Sequence, residues 1–278
     1  MRIALRIIVY DGRMKYGTRP GCIKATTETA FAEAAKLGFD GVEPDLGRDY
    51  ENDLLWTKEG RKRVLDLARQ AGVEVSSVCL GALWGQTFAS DDPADRERAT
   101  EVVTEAARWT PELGPKVILV PIVGIEEQTP AIGVERWIEG LRACAPAAER
   151  SGAILALENV GRSPARSAPE IANILDAVGS PNVKAYYDVG NATSFGFDAV
   201  EELKLLGDRV AQVHVKGKGS AQLWENTLDM DGVARALHEL GYDGYLVFET
   251  RATEQPAVDL GRNLQLLKQH VANAYGAA

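Results

Sequence analysis

Two periodicities alternate along the chain from end to end. Short runs that are apolar throughout, or apolar at every second position, read as strands, while longer stretches with apolar residues every three or four positions read as one-sided helices. The strand-like runs are 2–8 (RIALRII), 41–45 (GVEPD), 73–80 (VEVSSVCL), 116–122 (KVILVPI), 153–159 (AILALEN), 183–190 (VKAYYDVG), 210–216 (VAQVHVK) and 245–250 (YLVFET). Helical patterns lie between and after them: ETAFAEAAKLG, EGRKRVLDLARQAG, DPADRERATEVVTEAARW, VERWIEGLRACAPAAERSG, APEIANILDAVG, DAVEELKLLG, DGVARALHELG and DLGRNLQLLKQHV. Most close on a glycine, which suits a helix C-cap because glycine adopts the left-handed conformation there without strain. Strict alternation of strand and helix predicts a parallel sheet with helical crossovers. Eight such units in 278 residues fit a closed (β/α)8 barrel, so the expected fold class is α/β, a TIM barrel with residues 1–278 as a single domain. The competing architecture is a doubly wound open sheet, which normally carries G-x-G-x-x-G after an early strand. No such motif follows any of the first strands.

Composition narrows the function classes. A net charge of -9 opposes unspecific attraction to nucleic acid or anionic lipid, and no apolar run reaches the roughly 20 residues that span a bilayer. No nucleic acid and no membrane is therefore the expectation; a small molecule is the expected partner, with a homo-oligomer possible and the cytoplasm as the expected location. Cys22, Cys79 and Cys144 are odd in number, far apart and outside any C-x-x-C pair, and they read as reduced packing residues.

The chemistry gathers at the ends of the last four strands. In a barrel of this kind the active site is built from the C-terminal strand tips and the loops that follow them. Here the tips carry Glu158 in LALEN, Asp188 in YYDVGN, His214 in QVHVKG and Glu249 in LVFET. Alternation sets each against apolar neighbours: Leu155 and Leu157, Tyr187, Val213 with Val215 (and Ala211), Leu246 with Phe248. The apolar set can then face the helices while the polar set faces the barrel axis. An isolated strand histidine is usually structural, but four successive tips bearing metal-ligand side chains are another matter. Three carboxylates inside a barrel are costly unless paired or metal-bound. The expected cofactor is one divalent metal ion held by Glu158, Asp188, His214 and Glu249. A mostly oxygen donor set suits Mn2+ first, then Mg2+ or Co2+, with Zn2+ less natural.

The motifs LALENVGRS, YYDVGNATSFG, AQVHVKGKG and LHELGYDGYLVFETRA resemble those of the xylose-isomerase-like TIM-barrel superfamily, in particular its sugar and sugar-phosphate isomerase/epimerase branch. GFDGVEPDL and SSVCLGALWGQ extend the resemblance to the second and third strands. It implies a sugar or sugar phosphate as partner. It also implies a metal-stabilised enediolate on a ketose or ketose phosphate, most often in 3-epimerisation, with Glu158 and Glu249 doubling as the acid/base pair. The physical logic is that one carboxylate removes a proton next to a carbonyl and the other returns it on the opposite face. The resemblance further implies that Glu43, at the second tip, hydrogen-bonds a substrate hydroxyl or orients a ligand. Two positions depart from the free-ketose enzymes: Asn191 stands where they carry histidine, as in the phosphosugar branch, and Ser220 where they carry arginine.

Further substrate contacts are expected from Asn191, from Lys216 and Lys218 as a phosphate grip after the seventh strand, and from Trp84 or Trp224 as an aromatic wall. The segment YDGRMKYGTRPG, with Arg13, Lys15 and Arg19, reads as a lid or an exposed loop, and His238 and His270, on helices, receive no role. Proton abstraction beside a leaving group yields elimination, so a lyase on the same scaffold remains open. An apurinic endonuclease needs more histidines than the three present, and a non-catalytic metal barrel leaves the two facing glutamates unmotivated.

Overall fold

In the computed structural model, residues 14–275 are described, and they form one barrel of parallel strands wrapped by helices. The strands are β1 (Lys15–Thr18), β2 (Gly41–Val42), β3 (Glu74–Val75), β4 (Val78–Cys79), β5 (Val117–Pro121), β6 (Ile154–Glu158), β7 (Val183–Asp188), β8 (Val210–Val215) and β9 (Tyr245–Phe248). Their order is β3-β2-β1-β9-β8-β7-β6-β5-β4. β3 and β4 are two halves of one segment interrupted at Ser76 and Ser77; β3 pairs with β2 and β4 with β5. A parallel bridge between Asp45 and Cys79 completes the circle, so nine short strands fill the eight positions of a (β/α)8 barrel.

The helices are α1 (Thr27–Leu37), α2 (Lys58–Ala71), α3 (Pro93–Trp109), α4 (Pro130–Ser151), α5 (Ala168–Val178), α6 (Val189–Phe195), α7 (Ala199–Leu206), α8 (Met230–Glu239) and α9 (Pro256–Tyr275). Local chemistry accounts for their ends. α2, for example, starts where the Thr57 hydroxyl accepts from the Gly60 N–H at 3.0 Å and stops at Gly72, whose φ is 68°. None of the described helices is long and apolar enough to cross a membrane. The three cysteines are free and buried.

Three expectations change. The strand placed at 2–8 lies outside the described residues, and the first barrel position belongs to Lys15–Thr18, inside the segment read as a lid. Arg19 therefore stands at a strand tip rather than on a loop over the site. A bulge in β8 opposite Ala185 and Tyr186 alters the strand's alternation: Val210 pairs with Ala185 and Gln212 with Tyr186. Ala211 consequently packs on the inner cluster of Cys79, Leu119, Ala156 and Tyr186, instead of joining Val213 and Val215 on the helix side. The bulge leaves Gln212, His214 and Lys216 pointing inward. Finally, α6 follows directly on β7 with no loop between them, which strand–helix alternation alone does not signal.

Candidate active site and metal centre

Glu158, Asp188, His214 and Glu249 converge at the carboxyl end of the barrel, each offering one ligand atom within 4.8 Å of all the others. Register explains the convergence: Asp188 lies opposite His214 on neighbouring strands, and the Glu249 N–H donates to the Val215 carbonyl oxygen, which extends the ladder past β9. Because the strand order is β9-β8-β7-β6, the two glutamates flank the cluster with His214 and Asp188 between them.

One pleat deeper, a hydrogen-bonded network fixes the imidazole. His214 is fully buried; its Nε2 lies 3.0 Å from Glu43 Oε1, while Nδ1 lies 2.9 Å from Glu158 Oε1 and 3.5 Å from Glu249 Oε2. The other Glu43 oxygen accepts from the Ser77 hydroxyl at 2.6 Å and the Tyr186 hydroxyl at 2.7 Å. Gln212 donates to both of those hydroxyls. Glu43, Ser77, Tyr186 and Gln212 thus form a second layer that aims Nδ1 at the three carboxylates, the usual way a protein selects the tautomer and orientation of a ligating histidine. Glu43 is fully buried and does not line the mouth of the site, so of its two expected roles the geometry favours orienting a ligand over touching substrate.

Asp188 is divided between two tasks. Its Oδ1 caps α6 by accepting from the Asn191 N–H at 2.8 Å. Its Oδ2 is buried without a well-aligned hydrogen bond, although the Lys216 ammonium stands 2.7 Å away. The contact is a charge pairing with poor hydrogen-bond direction. Lys216 also donates to Glu249, and α6 can approach it so closely only because residue 190 is glycine: a Cβ there would lie 2.4 Å from Lys216 Cγ. Asn159 clamps the same corner, accepting from the Asp188 N–H at 2.8 Å and donating to the Asp188 carbonyl at 3.0 Å.

The charges drive the flanking glutamates apart. Burial and the neighbouring Glu249 push Glu158 up to about 7. Burial would raise Glu249 as well, but His214, Lys216 and Arg19 more than offset it and hold Glu249 well below the ordinary carboxylate range. His214 is opposed by burial, yet Glu43, Glu249 and Glu158 lift it well above its usual value. Three carboxylates, an imidazole and a buried carboxylate oxygen lacking an aligned donor are what a hard divalent cation requires of its ligands, so these residues fit one.

The mouth is a cavity of about 410 Å3 lined by Glu158, Glu249, Lys216, Asn191, Trp84 and seven others. The structure brings Trp84, Asn191 and Lys216 to it, but in altered terms. Lys216 is only 4% exposed and is committed to Asp188 and Glu249, so it is no solvated loop cation. Asn191 spends its amide donor on the Asn159 carbonyl at 2.9 Å. Lys218 does not line the cavity. The Gly217–Ala221 bridge and the Lys218 N–H bond to Thr227 fold the loop back and leave its side chain in solvent. Trp224 stacks under Arg262 of α9, away from the mouth. His238 and His270 lie on helices against Tyr275 and Asp231.

Sequence reasoning missed Arg19, whose guanidinium donates to Glu249 and approaches Glu43 and Asp45 at 3.7 and 3.5 Å. It missed the second layer of Ser77, Tyr186 and Gln212 as well. Inward parity two residues before Asp188 and His214 was the available signal for the latter pair.

A barrel whose carboxyl end gathers side chains that could hold a metal ion has the layout of an enzyme scaffold, and comparison with known proteins identifies which one. Residues 31–270 match the family model described as xylose isomerase-like TIM barrel, and the chain belongs to that family. It is 30% identical over 243 residues to the putative L-ribulose-5-phosphate 3-epimerase SgbU of Escherichia coli K12, covering 82% of this chain and 85% of that one. It is 26% identical over 251 residues to the L-ribulose-5-phosphate 3-epimerase UlaE of Escherichia coli SMS-3-5, covering 87% and 88%. Among solved structures, an L-ribulose 3-epimerase superimposes with a TM-score of 0.81 at 18% identity over 94% of this chain and 96% of that one. The 3-keto-D-glucoside 4-epimerase YcjR of Escherichia coli superimposes at 0.78 and 20% identity over 92% and 100%.

The second layer has a measurable consequence. Glu43→Gln is expected to weaken metal affinity about 10- to 100-fold, the usual cost of losing an outer-layer partner of a ligating histidine, with the barrel still folded. Isothermal titration with Mn2+ checks it; unchanged metal affinity with weakened substrate binding would put Glu43 on the substrate instead.

Proposed function

We propose that this protein is a divalent-metal-dependent epimerase that inverts a carbon next to the carbonyl of a ketose or ketose phosphate, most simply C3, in the cytoplasm. The supporting observation is the placement of Glu158 and Glu249 at opposite flanks of one cluster of potential metal ligands. The named relatives, ribulose-phosphate 3-epimerases, support the same substrate class.

A bound divalent ion, with Mn2+ as first choice, supplies Lewis-acid stabilisation of the negative charge that develops on the substrate oxygens. Glu158, Asp188, His214 and Glu249 would hold it. Glu249, kept ionised by Lys216 and Arg19, is placed to accept the proton, while Glu158 is placed to deliver one from the other flank. For the opposite epimer the roles exchange. Trp84 lines the mouth, where its ring would limit water around the intermediate.

The test is proton NMR of metal-loaded protein with ketoses and ketose phosphates in D2O. Deuterium at C3 accompanied by the C3 epimer is the expected result. A dehydrated product, or exchange at another carbon alone, would overturn the epimerase assignment.

A further inference from the structure

We infer that the active site continues past the Arg19–Glu249 ion pair into a second recess, which takes an uncharged glycosyl substituent carried by the ketose. The inference rests on the epimerase reading and deepens it by naming the substrate class as a glycosylated ketose.

The second recess has a volume of about 450 Å3 and lies at the turn after β1, the start of α1 and the end of β9. Arg19, Asp45 and Glu249 line both this recess and the mouth, so the two meet along the Arg19–Glu249 ion pair. A sugar whose reacting carbon stands at Glu249 can therefore extend a substituent into it. The mouth, at about 410 Å3, is already within the range that encloses a small ligand, and a recess of similar size beside it is surplus to a single ketose.

The walls decide the chemistry of the occupant. Apart from the shared trio, the seven lining residues are uncharged, and they include Ala25, Thr26, Thr27 and Thr250. The charges of the trio are spent on one another, since Arg19 donates to Glu249 and lies 3.5 Å from Asp45. Glu28, in the first turn of α1, offsets the positive end of that helix. An anion entering here would shed water without meeting an uncommitted cation, which is costly. The hydroxyls of Thr27 and Thr250 make no side-chain hydrogen bond among the described residues, and a hydroxyl both donates and accepts. Such hydroxyls beside small neutral side chains suit a second sugar ring, which offers hydroxyls of the same kind and no net charge.

One position reports on the recess alone. Gly21 lines it and belongs to the short 3-10 turn Pro20–Ile23; its φ lies outside the left-handed region, and a Cβ there would meet no atom within 4 Å beyond its chain neighbours. Gly21→Phe can therefore fill the recess without displacing Arg19 or the metal ligands.

The experiment titrates metal-loaded full-length protein calorimetrically with fructose, with isomaltulose, which is fructose carrying glucose on O6, and with fructose 6-phosphate. The wild type is expected to bind isomaltulose at least about 10-fold more tightly than fructose, the scale on which a pocket rewards a group that fills it. Gly21→Phe is expected to lose that gain while binding fructose as before, which also shows that the variant is folded. Should Gly21→Phe lose fructose as well, Gly21→Leu repeats the comparison with a smaller side chain. No gain in the wild type, or a gain that survives in the filled variant, would overturn the subsite. Tighter binding of fructose 6-phosphate than of isomaltulose, with that preference lost in the filled variant, would overturn the assignment to an uncharged substituent. These titrations need no turnover, so a failure of the epimerase reading would show separately, as absence of deuterium exchange in D2O.

Discussion

Dialysis against EDTA is expected to abolish turnover, and Mn2+ or Co2+ is expected to restore it at about one ion per chain. The expectation follows from the site's own charges: Glu158, Asp188 and Glu249 meet within 4.8 Å of one another and of His214, an arrangement that Lys216 and Arg19 neutralise only in part. Protons take up the remainder. Glu158 carries one below about 7, and His214 holds its proton to well above its usual value. Metal ligands must be deprotonated, so reloading displaces these protons, and affinity falls as the pH drops through about 7. Titrations in two buffers of different ionisation enthalpy would register the released protons. Asp188→Asn sharpens the test, since its amide oxygen can keep the cap on α6 while the charge at the cluster is lost. Metal affinity should fall by more than the 10- to 100-fold typical of an outer-layer change. Full activity in metal-free protein would refute the metal centre.

The barrel was legible because its period is repeated eight times, and each strand position is confirmed by the next. All eight helical patterns correspond to helices of the structure. The strand at Lys15–Thr18 was not legible for a physical reason: KYGT is short and polar, whereas RIALRII, which lies outside the described residues, has the stronger strand composition. Alternation located Glu158, Asp188, His214 and Glu249 because inward parity and tip position are local properties of a strand. What alternation cannot register is partnership across the barrel. Lys216 has the inward parity of a site residue, yet its fate depended on Asp188 and Glu249 arriving from two neighbouring strands. Arg19 became a site residue only through Glu249, 230 positions away. Lys218 was lost to the site because Gly219, with φ of 65°, and the bond from Lys218 N–H to Thr227 turn the loop outward.

Replacing either flanking glutamate should separate chemistry from binding. Glu158→Gln and Glu249→Gln preserve side-chain shape and one ligating oxygen, but neither amide can carry the proton. Each variant is expected to retain substrate binding and part of its metal affinity while losing at least about 100-fold in kcat, the scale of a deleted general acid or base. The two should then differ in solvent exchange. Glu249 and Glu158 stand on opposite flanks of the cluster, so each is set to face the proton of one epimer. For the epimer whose proton faces Glu249, Glu158→Gln can still abstract and return that proton on the same face. Deuterium from D2O then enters the substrate without inversion. With the same epimer, Glu249→Gln abstracts nothing, and exchange and inversion disappear together. For the opposite epimer the two variants trade behaviours, so four NMR time courses, two variants against two epimers, form a crossed pattern. A single base serving both faces would give instead one variant silent with both epimers and the other near wild type. That outcome would remove the two-base assignment while leaving the metal centre intact.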